Sequence, residues 1–467
     1  MSVERWAPGE VLRSRGGVLL VSCYELGHQP LGVAWPSAFL KRAGFDPHCC
    51  DVSVGPLSRG DLRRAAVVVV AVPMHTALQL GVRVARSVRE ENPEARVVFL
   101  GLYAVLNAPA LLDAGAAACL GGEVEGELVA LLESWERGER QSAKDPKVGR
   151  KRQEFPVPDR STLPSLDKYA GFESVDNDGD VKVVTTGTVE ASRGCRHLCT
   201  HCPIPPVYGG RFVAVPTEVV LADIEQQVAA GAGHITFADP DFLNGPAHAL
   251  RVSRGLADRF PGVTFDFTAK VEHLVKRGDV LPELVECGAV FVISAVEALA
   301  DPVLEILEKG HNRDDVLVAL ERCREVGLPV RPTWVPFTPW TTRSDYCEIL
   351  EFVVDQGLVG HVDPVQFSIR LLVPPGSLLE EHPGFVPHRG ELDAEVWSWR
   401  WEHPDPEMDA LHGEVSAVVE TAACGDQDVG VTFSRIAELA GITLTPGQAA
   451  ATINRRPVPR MTEDWFC

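Results

Sequence analysis

Glu190-Ala191-Ser192-Arg193-Gly194-Cys195-Arg196-His197-Leu198-Cys199-Thr200-His201-Cys202-Pro203 sets three cysteines within eight residues, at the spacing C-x3-C-x2-C. The apolar run from Val181 to Val189 just before it predicts a strand, and Gly194 permits a tight turn at its end. Thiolates are soft ligands, and cysteines clustered this closely point to a metal rather than to packing. A [4Fe–4S] cube has four irons, so three thiolates leave one iron open to a small molecule. The competing arrangement is zinc on the three cysteines with His197 or His201 as fourth ligand. Structural zinc normally joins two separated knuckles, and this sequence offers one.

The rest of the composition sets bounds. A chain of 467 residues has room for two or three domains and a large core. A formal net charge of −21 argues against a nucleic-acid partner, which would call for a basic footprint. It leaves a small-molecule substrate open. No apolar run is long enough to span a membrane, and the stretch Met1 to Trp6 lacks the apolar core of a signal peptide, so a cytoplasmic location and no membrane partner are expected. Twelve cysteines suit a reducing compartment. Cys23, Cys49, Cys50, Cys119, Cys287, Cys323 and Cys347 read as buried small hydrophobes.

Working outward, residues 17 to 137 alternate strand and helix. Strands are predicted at Gly17 to Cys23, Phe45 to Val54, Ala65 to Val72, Ala95 to Leu100 and Ala118 to Leu120. Helices follow Gly32 and cover Leu78 to Glu91, Ala108 to Ala117 and Val124 to Arg137. Such alternation implies a doubly wound, Rossmann-like sheet with ligands at the carboxyl ends of its strands. Residues 141–180 read as a linker, stiffened by Phe155-Pro156-Val157-Pro158. From Val181 the alternation resumes through six strands, the last being Pro364 to Leu372. Polar residues on the last two strands, Arg331, Thr333, Trp334, Gln366, Ser368 and Arg370, are candidates to contact substrate, or else to satisfy one another. Beyond Pro374-Pro375-Gly376 come a tryptophan-rich segment and a helix from Met408 to Ala422, expected to form a helical cap. Residues 456 to 467 show no regular pattern.

The motif and its place after a strand resemble the radical S-adenosylmethionine (radical SAM) superfamily. That resemblance implies a partial (β/α)6 TIM barrel over residues 181–378, with Cys195, Cys199 and Cys202 holding the cluster. The open iron would chelate the amino and carboxylate groups of SAM, and reduction would release a 5′-deoxyadenosyl radical. An external flavodoxin- or ferredoxin-type donor would supply the electron. His201 stands where the family usually has an aromatic residue and is expected against adenine. By the same likeness Asp239 and Asp241 would bind the methionine ammonium, Lys270 the carboxylate, and Glu272, Ser294 and Glu297 the ribose. Residues 1–140, with Pro30-Leu31-Gly32 opening the first helix and Gly121-Gly122-Glu123 the last, resemble the cobalamin-binding domain found ahead of many radical SAM cores. No Asp-x-His-x-x-Gly is present, so no histidine is placed to ligate cobalt. Residues 379–467 complete the chain as cap and tail. The ending Trp465-Phe466-Cys467 resembles a subgroup finishing Trp-Phe-Cys-(Cys or Sec)-Ala-Glu-Pro, which makes Cys467 a candidate catalytic thiol on a mobile arm and raises a selenocysteine codon read as a stop.

The function expected is SAM cleavage coupled to cobalamin-dependent methyl transfer to an unactivated carbon or phosphorus. Without cobalamin, a rearrangement or a 3-amino-3-carboxypropyl transfer to a soft atom such as arsenic, helped by the thiol tail, becomes the alternative. A non-catalytic Fe–S or zinc scaffold or electron carrier is the third.

Overall fold

A computed structural model of the protein describes residues 9–139, 147–149, 153–175, 180–425, 427–455 and 457–463. Val18–Ser22 and Val67–Ala71 are apolar and buried along their whole length, as strands covered on both faces must be. They pair in parallel at the centre of a six-stranded sheet. In chain order its strands lie second, first, third, fourth, fifth, sixth. Helices Leu31–Arg42 and Glu125–Glu136 cover one face, with Trp135 and Leu128 in the core between. Helix His75–Glu91 and two short helices cover the other. Those two, Leu102–Leu106 and Ala108–Asp113, replace the one helix expected from Ala108 to Ala117. Asn107 breaks them apart, its side-chain amide donating to the Tyr103 carbonyl at 3.0 Å. The strand order reverses between Val18–Ser22 and Val67–Ala71, and a crevice opens at that point outside the carboxyl ends.

The second sheet has five parallel strands in chain order, Val181–Val189, His234–Phe237, Thr264–Thr268, Ala289–Glu297 and Val330–Trp334. Its apolar face, with Ile235, Phe237, Phe265, Phe267 and Val292, packs on the helices. The opposite face curls inward. The segment read as a sixth strand instead forms a turn of tight helix, Pro364–Ser368, followed by a single bridge from Phe337 to Arg370. Pro364 has no N–H for a ladder, and the Gln366 side chain accepts the free Trp334 N–H at 2.9 Å, so a side chain stands in for the next strand.

The segment read as linker is structured. Lys147–Gly149 adds the sixth strand of the first sheet, and Gly171–Val175 pairs antiparallel with Val181–Val189 on the second. Between them the chain straps the two halves together. Phe155 meets Trp35 edge-on, and Arg160 forks onto Asp223 at 2.9 Å while donating to Gln29 at 2.8 Å and to the Thr188 carbonyl at 2.6 Å. The tail is also partly regular. Arg460–Met461 pairs with Phe172 and Glu173, and Met461, Phe172, Phe291 and Ile293 fill the lower end of the half-barrel. Helices Pro406–Cys424 and Val429–Ala440 pack on Arg343–Asp355 and on the Pro364–Ser368 turn, and Arg370 lies 3.7 Å over the Trp401 ring. Among the described residues no helix is long and apolar enough to cross a membrane.

Candidate active site

The cysteine loop leaves the end of Val181–Val189 as a short ribbon, Ser192–Gly194 paired with Phe212–Ala214. Gly194 sits at φ +71°, and a Cβ there would run into the Arg211 carbonyl and the Tyr208 ring, so only glycine turns the chain here. Thr200 pins the loop by donating from its N–H to the Leu307 carbonyl at 3.1 Å and from its hydroxyl to Ile306 at 2.8 Å. Cys195 and Cys199 are buried and Cys202 half-buried, and all are free thiols. Burial pushes the Cys202 thiol up to about 12, so bound iron would have to displace its proton. The Lys270 ammonium lies 3.5 Å from the Cys199 sulfur.

The sulfurs also bear on zinc against iron. Among the described residues, the ligand atoms found within 4.8 Å of one another are those of Cys195, His197 and Asp241, and the three sulfurs are not gathered that closely. A single zinc with ~2.3 Å bonds would hold its sulfurs about 3.8 Å apart, whereas a cube spreads them over separate irons. The donor set, three thiolates in one loop, suits a cube with one iron left open.

Of the other expected residues, several converge beside this loop. Glu297 takes up φ +67°, a strained backbone for a residue with a side chain. It receives Lys309 at 3.0 Å and His201 at 3.4 Å. Burial alone would raise its carboxyl, yet Lys309 and then His201 hold it well below the carboxylate range. Glu272 sits 3.4 Å from His197, 3.8 Å from Lys270 and 2.6 Å from Lys276. Asp241 caps Phe242–Asn244 by accepting the Leu243 N–H at 3.0 Å, and its other oxygen lies 2.6 Å from His273. Asp239 accepts from the Ser192 hydroxyl at 2.7 Å and the Ala191 N–H at 2.8 Å, and so braces the loop. Ser294 stands apart. It is buried, one position from Ile293 on the strand, and alternation turns it with Val292 and Val296 toward the helices. The polar residues of the last strands largely satisfy their neighbours, Arg331 meeting Asp363 at 2.7 Å and Arg370 meeting Asp409 at 2.6 Å. Cys467 lies outside the described residues.

A cavity of about 520 Å³ lies between the two halves. The first sheet contributes Ala71, Leu100, Gly101 and Gly122 from its strand ends; the barrel contributes Thr188, Thr236, Asp239, Asp266, Thr268 and Ile293. Sequence reading missed three of its features. Glu25 accepts the Leu31 and Gly32 N–H groups at 2.9 and 3.0 Å, so this helix start is capped by the protein's own carboxyl. Arg193, inside the cysteine motif, meets Glu190 at 2.7 Å, Glu125 at 2.8 Å and Glu123 at 3.5 Å, joining the loop to the first sheet's last turn. Asp266 lies on the floor with His234. The signal for this last pair was present as alternate polar residues, His234 and Thr236 on one strand, Thr264, Asp266 and Thr268 on the next.

Burial raises the carboxyls of both Glu25 and Asp239 to about 8, from ordinary values of 4.5 and 3.8. Each holds a proton at neutral pH that the unfolded chain has lost, so the folded state is favoured at low pH. That advantage disappears as pH rises from the ordinary carboxylate range through about 8. The thermal midpoint is expected to fall between pH 4.5 and about pH 8, the span of this linkage, and Asp239→Asn to flatten the fall. A midpoint rising over that range would contradict these shifts.

Comparison with known proteins agrees with the geometry. Residues 189–353 match the model of the radical SAM superfamily, so that stretch is a radical SAM domain, and the enzymes of that superfamily use a [4Fe–4S] cluster and SAM. Among curated relatives, MJ0865 of Methanocaldococcus jannaschii, a methylthiotransferase by name, is 24% identical over 225 residues, 44% of this chain and 47% of that protein. The chain thus spans about half the length of the curated relatives it matches first. The fold is shared more widely. The cobalamin-dependent radical SAM enzyme OxsB with aqua-cobalamin bound aligns with 93% of this chain and 70% of its own at TM-score 0.65 and 14% identity. The radical SAM methyltransferase TsrM from Kitasatospora setae, with tryptophan and a SAM analogue bound, aligns with 86% of this chain and 89% of its own at TM-score 0.61 and 16% identity.

Proposed function

We propose that the chain is a radical SAM methyltransferase that works with cobalamin on a small-molecule substrate. The observation that carries this reading is the cavity, which the cysteine loop, the barrel interior and the first sheet's carboxyl ends all border. Cys195, Cys199 and Cys202 would hold the cluster, with Lys270, Glu272, Glu297 and His201 around SAM. A corrin would lie against Ala71, Leu100, Gly101 and Gly122. When bound, the cluster supplies the electron that breaks a carbon–sulfur bond of SAM, and cobalt supplies a methyl carrier. The protein's own part is to orient these groups, exclude water and seat the substrate. Likeness to OxsB and TsrM supports the arrangement.

A second reading has its own support. Tyr24 donates to Glu463 at 3.0 Å, and the Thr462 N–H donates to the Gly171 carbonyl at 2.8 Å, so residues 460–463 are fastened beside Leu26 and His28, which border the cavity. A tail fastened there is compatible with thiol-assisted chemistry by Cys467 without cobalamin, although Cys467 itself lies outside the described residues.

Anaerobic purification with iron, sulfide and cobalt analysis, followed by incubation with dithionite and SAM, tests both. About four irons per chain and 5′-deoxyadenosine formation support the radical reading, and zinc without iron sinks it. Cobalt near one per chain favours methyl transfer. Its absence, with product formation sensitive to Cys467→Ser, favours the thiol.

A further inference from the structure

We propose that the cavity receives a substrate bearing a primary ammonium group, seated on Asp266 at the barrel floor. The inference rests on the reading above only in taking this cavity as the substrate's. Asp266 is 1% exposed. Its Oδ1 is fully engaged, accepting from the Thr236 hydroxyl at 2.7 Å and meeting His234 Nε2 at 2.9 Å. Its Oδ2 is buried and has no hydrogen-bond partner among the described residues, although Asp266 borders the cavity. An enclosed carboxyl oxygen without a donor is costly, and native proteins leave few of them. A donor brought by the ligand removes that cost.

The other carboxyls of the lining have partners already. Backbone amides take Glu25, Arg193 takes Glu125 and Glu190, and Ser192 with the Ala191 N–H takes Asp239. Asp266 is thus the acceptor left over. Five carboxyl groups face the cavity against the one guanidinium of Arg193, with no lysine among the lining residues. An ammonium, itself charged, gives the free Oδ2 a stronger, charge-assisted bond than a neutral hydroxyl does. His234 is a positioning residue. Thr264 holds its other nitrogen at 2.7 Å, and the Phe172 ring stacks on it at 3.9 Å, so the carboxyl cannot rotate its free oxygen away.

The test uses the full chain as isolated, with n-hexylammonium and 1-hexanol as matched probes, read by calorimetry. Hexylammonium is expected to bind at least about tenfold more tightly than hexanol, and Asp266→Asn to remove that preference. Equal affinity of the wild-type protein for the two probes overturns the proposal, whether or not the variant folds. A preference that survives Asp266→Asn overturns it too. Neither probe needs cluster, SAM or cobalt, so failure here leaves the SAM-cleavage result standing, and the reverse holds.

Discussion

Cys199→Ala protein is expected to lose 5′-deoxyadenosine formation to background, a fall of at least about a thousandfold on the scale of enzymatic acceleration. A cube held by two thiolates has two open irons and no fixed orientation for SAM, so iron content should drop together with activity. Lys270→Met should give a smaller, graded loss. Its ammonium stands 3.5 Å from the Cys199 sulfur without being a ligand, and such outer partners usually account for about 10- to 100-fold. Cys347→Ala, far along the chain on helix Arg343–Asp355, provides the control and should keep both iron and activity. Iron retained at wild-type level in Cys199→Ala would contradict the ligand set.

Arg193→Met should be the most damaging change outside the ligands. The guanidinium is buried, with Trp35 at 5.0 Å and Phe155 at 5.1 Å across its faces and three glutamates around its edge. Burial works against its charge, but Glu125, Glu190 and Glu123 outweigh it and hold it charged. Removing it leaves three carboxylates facing one another, a loss of about 3–5 kcal/mol in denaturant unfolding. The deficit should shrink as pH falls, because burial already raises Glu123 and Glu190 and their protonation relieves the repulsion. Adding Glu125→Gln should restore part of the stability, a coupling that a double-mutant cycle reads directly. Equal and additive losses would argue that the three glutamates are independent of Arg193.

The parallel strands were legible because Val67–Ala71 and its neighbours are apolar, β-branched and bounded by turns. The cysteine loop was legible because three soft ligands in eight residues have few other uses. What escaped reading was settled by distant partners. Gly171–Val175 carries no periodicity of its own and becomes a strand because Val181–Val189 and Arg460–Met461 flank it. Pro364 to Leu372 alternates like a strand, but Pro364 and the reach of Gln366 decided otherwise. Ser294 was placed near ribose by analogy, while strand parity sends it to the other face. Arg193 hid inside a motif read for its cysteines, and two of its three glutamates, Glu123 and Glu125, lie about 70 positions away by chain numbering. The pairing of Lys309 with Glu297 could be seen only in three dimensions.

The pairing of residues 460–461 with 171–175 has a consequence for biosynthesis. Gly171 and Thr462, which bond to each other, are 291 positions apart. A ribosome adding about 5–20 residues per second leaves that sheet edge bare for some 15–60 seconds. Once Trp334 has been made, the five parallel strands must hold their curl without Met461 until the chain reaches it. Inorganic cofactor assembly thus has a window in which the cysteine loop is complete and the barrel is still unsealed beneath. Among the described strands, the one made latest is the one that shuts the floor.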